Sequence, residues 1–233
     1  MANNFDLNKL PENGYLVFPL SMSRLQKGQN PDKIYTDLHF FNKKISKISL
    51  DVIFLYTNGL YMNSEETALK VREKTLNQII NHKNRLWNLI LKKREFVPQA
   101  FHFETWDHLL ANAEKFQEVF AKLKKLYPED KEFQKILEED LGEREKSEAN
   151  LNFLLEEIVI THLLRQKLIP LPHTLTPVDG WRLIVYPGTY LKADAYAYQK
   201  RILCQNKEIK KNEIFSHAHY DLQEKKLIDL EKD

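Results

Sequence analysis

The sequence predicts an α/β fold: a doubly wound, mostly parallel five-stranded sheet with flanking helices. Three observations carry that expectation. Compact apolar runs rich in β-branched and aromatic residues, such as residues 15–20 and Leu50–Thr57, lack the polar alternation of a half-solvated strand and suit parallel strands covered on both faces. Helical stretches alternate with these runs along the chain. With 233 residues, 42% of them hydrophobic, and no Pro/Gly/Ser-rich linker, residues 1–233 are read as one domain around a substantial core.

The first strand, residues 15–20, follows the turn-forming pair Asn13-Gly14, and the second, Leu50–Thr57, ends at Asn58-Gly59. Between them Asn30-Pro31-Asp32 opens a helix to about Ser46, completing a right-handed βαβ unit. A long helix with Ser64 as N-cap runs to about Arg94 without Gly or Pro. Residues 98–103 read as a third strand and residues 104–126 as helix. A further helix spans roughly residues 131–164, with Gly142 as its point of interruption. Residues 168–170 and Trp181–Tyr186 supply the fourth and fifth strands, and a polar tail is expected from about residue 205.

Composition narrows the function classes. The single cysteine, Cys204, has no intrachain partner, and no Cys/His spacing resembles a zinc site. No signal peptide and no uncharged apolar run of membrane-spanning length is present, so a cytoplasmic protein without membrane association is expected. The net charge of +2 conceals a polarised distribution. Residues 69–94 carry eight basic side chains (Lys70, Arg72, Lys74, Lys83, Arg85, Lys92, Lys93 and Arg94) against Glu73, whereas residues 129–148 carry nine acids and four bases.

Two segments carry candidate chemistry. Tyr15-Leu-Val-Phe-Pro-Leu-Ser21 is a buried strand ending in a serine, where open parallel sheets bind ligands. Capping a turn is the ordinary role for such a serine. The flanking Pro19-Leu20-Ser21-Met22-Ser23 lacks the Gly-x-Ser-x-Gly elbow of a hydrolase. Leu151-Asn-Phe-Leu-Leu-Glu-Glu157 begins an apolar helix on which Phe153, Glu157 and Ile160 share a face. One of its two glutamates can reach solvent and the other is partly buried, which calls for a cation or hydrogen-bond donors. An internal salt bridge and a functional carboxylate both satisfy that demand.

In order and approximate spacing, Phe18-Pro-Leu-Ser21, the Leu151–Glu157 segment and Val185-Tyr186-Pro187-Gly188 resemble the tRNA-dependent cyclodipeptide synthases over roughly residues 14–200, with the basic helix between them. The resemblance implies a Rossmann-like domain similar to the catalytic domains of class I aminoacyl-tRNA synthetases, and an aminoacyltransferase that makes a cyclic dipeptide from two aminoacyl-tRNAs. It assigns Ser21 as the residue that becomes aminoacylated, Glu157 as the group that holds the substrate amine and assists proton movement, and Tyr186 as the tyrosine of the last motif. Tyr186-Pro187, with Arg24 rather than Asn three residues after the serine, resembles the XYP subfamily rather than NYQ. One departure is Phe153, where the family often has tyrosine; its ring can pack but cannot hydrogen-bond.

The resemblance also implies chemistry without ATP, metal or other cofactor, since an aminoacyl-tRNA is an activated ester. In keeping with that, the sequence has no Gly-rich phosphate loop, no HIGH-type sequence and no true KMSKS loop. A serine without a histidine partner fits a reactive ester in ping-pong covalent catalysis, since positioning supplies acceleration. The tRNA would be held by Lys70, Lys74, Lys83, Arg85, Lys92, Lys93 and Arg94. On a helical projection Lys70, Lys74, Arg85 and Lys92 form a stripe about 33 Å long opposite Leu76, Ile79, Ile80, Leu86, Trp87 and Ile90. A solvated helix face is the alternative. Val17, Pro19, Phe153, Ile160 and Ile184 are expected to line a mainly apolar aminoacyl pocket in a monomeric enzyme. His217-Ala-His219 reads as a solvated segment, and Tyr190, Tyr196 and Tyr198 as packing for the C-terminal helix. Two competing functions are a noncatalytic tRNA- or RNA-binding module and an α/β serine hydrolase.

Overall fold

The computed structural model of the chain describes residues 14–45, 50–58, 68–93, 101–110, 113–169, 171, 181–188, 190–204, 209 and 214–231. Its elements are β1 (Gly14–Ser21), α1 (Pro31–Ile45), β2 (Leu50–Thr57), α2 (Ala68–Lys93), β3 (Phe101–Thr105), α3 (Trp106–Leu110), α4 (Phe116–Glu129), α5 (Lys131–Leu141), α6 (Glu148–Arg165), β4 (Trp181–Tyr186), α7 (Lys192–Gln199), β5 (Ala218–Asp221) and β6 (Lys226–Asp229). The strands form one six-stranded sheet in the order β3-β2-β1-β4-β5-β6, with only the β5–β6 pairing antiparallel. The fold is α/β and doubly wound, with strand order reversing between β1 and β4.

The sheet divides two apolar layers, and β1 shows how. Leu16, Phe18 and Leu20 enter the layer with α1 and α2, while Val17 faces α3 to α7. Pro19 and Ser21 follow Val17 at the same two-residue period, so Ser21 emerges at the strand's carboxyl end on the α6 side. At the other end, Gly14 is held to its residue type by Trp181 across the β1–β4 pair: a Cβ there would lie 2.0 Å from the indole Cε2.

Helix boundaries have local causes. The Asp130 carboxylate caps α5 by accepting from Glu132 N–H and Phe133 N–H at 3.0 Å each. Gly142, at φ 60°, ends α5 in a region that favours glycine, and the Ser147 hydroxyl accepts from Asn150 N–H to start α6. The helix expected over residues 131–164 is therefore two helices, the first ending at the expected glycine and the second starting after Ser147.

Several expectations are corrected. Among the described residues the sheet has six strands rather than five. Leu168 is not a strand residue: Lys167 has φ 56°, and Leu168 N–H donates back to Leu163 C=O, closing α6. Pro170 lies outside the described residues. The last strands come instead from the stretch read as a polar tail, where β5 and β6 are four residues each and contain His219, Asp221 and Asp229. The third strand begins at Phe101 and takes in Glu104 and Thr105, and the predicted helix after it is divided into α3 and α4.

Helix α2 is rotated relative to the projected stripe. Ile79, His82, Leu86 and Ile90 form its buried seam, whereas Leu76 and Ile80, expected inside, are 54% and 42% exposed. One seam suffices to seat a helix at the edge of a sheet layer, so its apolar residues outnumber the buried positions. Ser64 and Arg94 lie outside the described residues.

Candidate active site

The carboxyl ends of β1 and β4 flank the point where strand order reverses, and a cavity of about 210 Å³ opens there. Ser21 from the end of β1, Glu157 from the middle of α6 and Tyr186 from the end of β4 all line it. Three residues from distant parts of the chain thus converge on one space.

The end of β1 is anchored on both sides. Thr57 Oγ1 donates to Leu20 C=O at 3.1 Å, and Ser21 N–H donates to Gln29 Oε1 at 2.7 Å. Ser21 Oγ lies 3.1 Å from Ser23 Oγ and is half-buried. Among the described residues no histidine lines the cavity; its other walls include Arg24, Arg144, Lys192, Glu139, Asp140 and Tyr190. Gly188 leaves room for Arg24, because a Cβ there would meet the guanidinium Nη1 at 2.6 Å.

Burial dominates the electrostatics. It pushes Glu157 up to about 7, a shift opposed by Arg144 and Arg24 and supported by Asp194 and Asp140. The carboxyl is therefore poised between its charged and neutral forms near neutral pH. Asp140 is pushed up to about 6 by burial, against the hydrogen bonds it accepts from Ala193 N–H at 2.8 Å and Lys192 N–H at 3.1 Å. The Tyr186 phenol is raised well above its ordinary range by burial, then by the charges of Glu157 and Asp194. Its hydroxyl makes no hydrogen bond of ordinary geometry among the described residues, with Thr161 the neighbouring hydroxyl.

A polar layer supports this wall. The buried Arg165 Nη2 donates to both Asp194 oxygens at 2.7 Å, and the Tyr198 hydroxyl lies 2.7 Å from His162 Nδ1. His219 is fully buried on β5, with its ring edge-on to Tyr186 at 5.1 Å and 4.6 Å from Tyr190. Burial holds it neutral by pushing its pKa well down. His219 is therefore a core ring behind the cavity and not part of a solvated segment.

The predicted substrate-contacting residues are distributed differently. Pro19 lines the cavity, but Val17, Phe153, Ile160 and Ile184 are packed into the core layer beneath it. Glu156, the glutamate adjoining Glu157, is the fully buried one of the pair, while Glu157 is half-buried on the cavity wall. On α2, Lys74, Lys83, Arg85, Lys92 and Lys93 are exposed; Lys70 lies on the helix, and its side chain is outside the described residues. Sequence reasoning missed Gln29, Thr57, Asp140 and Arg144. Only Arg144 carried a signal, as a cation just after the helix-ending Gly142.

Among the described residues no helix is long and apolar enough to cross a membrane, and no cluster of His, Cys, Asp or Glu is arranged to hold a metal ion. No protein-family model and no curated protein matches the sequence. The structure is similar to that of a cyclodipeptide synthase (CDPS) from Fluoribacter dumoffii, with a TM-score of 0.56 and 16% identity over 84% of this chain and 86% of that one. It is also similar to a CDPS from Staphylococcus haemolyticus, with a TM-score of 0.52 and 12% identity over 83% and 87% of the two chains. At these identities the likeness is one of fold.

Proposed function

We propose that the chain is a tRNA-dependent cyclodipeptide synthase of the XYP type, with Ser21 as the acyl carrier. The observation that carries this reading is the convergence of Ser21, Glu157 and Tyr186 on one cavity at the reversal of strand order. The fold likeness to two cyclodipeptide synthases and the Tyr186-Pro187 pair add to it.

In the first step Ser21 Oγ attacks the ester carbonyl of one aminoacyl-tRNA. The bond to the terminal ribose oxygen breaks, and the serine proton passes to that oxygen as the tRNA leaves. The amine of the Ser21-bound residue then attacks the ester of a second aminoacyl-tRNA, forming the peptide bond and releasing the second tRNA. Finally the new terminal amine attacks the Ser21 ester, closing the six-membered ring and restoring the serine hydroxyl. Both amine attacks require an uncharged nitrogen, and a carboxyl held near 7 can take up the ammonium proton. Tyr186 is the relay by which that proton reaches a departing oxygen. Exposed Lys74, Lys83, Arg85, Lys92 and Lys93 on α2 supply contacts to tRNA phosphates.

The test is incubation with tRNA charged with one amino acid at a time, followed by intact-protein mass and analysis of small products. The parent gains one aminoacyl mass and releases a diketopiperazine, and Ser21→Ala does neither. A parent that gains no mass and forms no cyclic product with any amino acid would sink the proposal, and a Ser21→Ala variant that still binds tRNA would leave a binding module.

A further inference from the structure

A chain of buried hydrogen bonds leads from Ser21 to the interior of helix α2. Ser21 N–H, at the last position of β1, donates to Gln29 Oε1 at 2.7 Å. Gln29 is 4% exposed and is held through its backbone at both ends: its N–H donates to Arg24 C=O at 3.0 Å, and its C=O lies 2.8 Å from His82 Nε2. His82 Nδ1 lies 2.9 Å from the Tyr56 hydroxyl. Because a carbonyl can only accept, Nε2 carries the proton; in the neutral ring Nδ1 then accepts from the Tyr56 hydroxyl. Burial keeps the ring neutral by lowering its pKa. Every bond in this chain is therefore fixed in direction.

The placement of this chain gives it a consequence. The segment after β1 makes a short 3-10 turn, Met22–Arg24, none of whose residues is fully buried; Met22 packs partly against the core and Leu25 enters it. Beside the pairing of Ser21 with Thr57 in the β1–β2 ladder, the backbone at Ser21 is held by the Gln29 carboxamide, and Gln29 is in turn tied to α2 through His82. His82 is buried on α2, while the adjacent Lys83 and nearby Arg85 are exposed on the same helix.

We propose that Gln29 and His82 are positioning residues that fix the acyl-accepting Ser21 and tie it to the basic helix α2. The inference rests on the reading of Ser21 as the acyl carrier. A misplacement of about 1 Å in a nucleophile costs up to about 100-fold in rate, so loss of the Gln29 acceptor is read in the acyl-transfer step rather than in tRNA affinity.

The experiment measures single-turnover acylation of Ser21 by intact mass, using bulk tRNA charged with one amino acid at a time, beside tRNA affinity and thermal melting. Gln29→Met, which keeps the volume and removes the acceptor, is expected to slow acylation by about 10–100-fold with tRNA affinity within about twofold. Gln29→Glu retains an acceptor for Ser21 N–H and is expected to recover most of the rate. His82→Phe, which removes the donor to Gln29, should lower the rate in the same direction, and His82→Gln, which can still donate, should restore it. Acylation of Gln29→Met at the parent rate would overturn the proposal. So would equal slowing of Gln29→Met and Gln29→Glu in folded protein, or a loss confined to tRNA affinity. If Gln29→Met does not fold, the His82 pair decides: equal rates for His82→Phe and His82→Gln refute the coupling. A parent that gains no acyl mass at all marks failure of the acyl-carrier reading itself, a result distinct from a defect confined to the variants.

Discussion

Replacing Glu157 with glutamine should make the protein more stable and less active at once. The carboxyl has a pKa of about 7 in the fold against an ordinary 4.5, chiefly because it is buried. Below about pH 4.5 both folded and unfolded chains hold the proton, and the group contributes no difference. Between 4.5 and 7 the unfolded chain releases it while the folded chain retains it, so stability falls as pH rises; above 7 the penalty is complete. A shift of this size corresponds to about 3 kcal/mol, and the half-buried position of Glu157 beside a cavity reduces it to about 1–3 kcal/mol. For a chain of this length that is about 3–10 °C in Tm. The assay is a thermal melt of parent and Glu157→Gln from pH 4 to pH 9, read as the difference between the two curves so that other titrating groups largely cancel. The difference should be near zero at pH 4, grow through pH 5 to 7 in favour of Glu157→Gln, and then level off, while diketopiperazine formation is lost throughout. A difference independent of pH, or a variant less stable than the parent at pH 8, would refute the electrostatic account. Retained product formation would remove Glu157 from the chemistry.

Three further outcomes follow from packing and charge. Gly14→Ala drives a methyl into the Trp181 indole and should cost about 2–3 kcal/mol by urea denaturation, whereas unchanged stability would show that the β1–β4 contact yields freely. Reversing the charges of Lys74, Lys83, Arg85 and Lys92 should weaken tRNA binding and flatten the dependence of log affinity on log salt by about 0.7–0.9 for each phosphate no longer neutralised; an unaltered slope would leave α2 a solvated face. Asp194→Ala strands the Arg165 charge in the interior and should cost about 3–5 kcal/mol in the same denaturation assay, with recovery when Arg165→Met is added. A small loss that the second substitution does not repair would mean that water reaches the guanidinium.

The parts of this fold that were legible in the sequence are those where one residue type satisfies two demands together. Residues 15–20 are apolar at consecutive positions because both faces of a central parallel strand are covered, which also placed Ser21 at the mouth of the sheet. Gly142 stood out because a helical pattern continues on either side of it. By contrast, β5 and the edge strand β6 are only four residues long and carry charged residues at their ends, so little periodicity accumulates. The inward face of α2 was misread for a related reason: Leu76, Ile80, Trp87 and Leu91 are at least 38% exposed, so hydrophobicity alone does not identify its seam. Gln29 and Asp140 were invisible because each acts on backbone N–H groups, those of Ser21 and of Lys192 and Ala193, and such partners leave no pattern in a one-dimensional string.

Phe153 illustrates how a residue can serve the cavity without touching it. One helical turn before Glu157, it was expected to pack against substrate. Instead it is 5% exposed and stacks on Trp106, with ring centroids 5.4 Å apart. The Arg144 guanidinium lies over its ring, 5.4 Å from the centroid, and is the foremost positive charge opposing the burial-driven rise of Glu157. A flat aromatic face there offers the guanidinium a cation–π seat. Phe153 thus bears on Glu157 through Arg144, fixing where the compensating charge sits and so helping to hold the carboxyl near neutrality. Without that charge, burial would drive the carboxyl further towards its neutral form, which binds an ammonium less well. A phenylalanine can therefore bear on a cavity carboxyl without a hydroxyl of its own: it supports the cation that lowers the proton affinity of its neighbour.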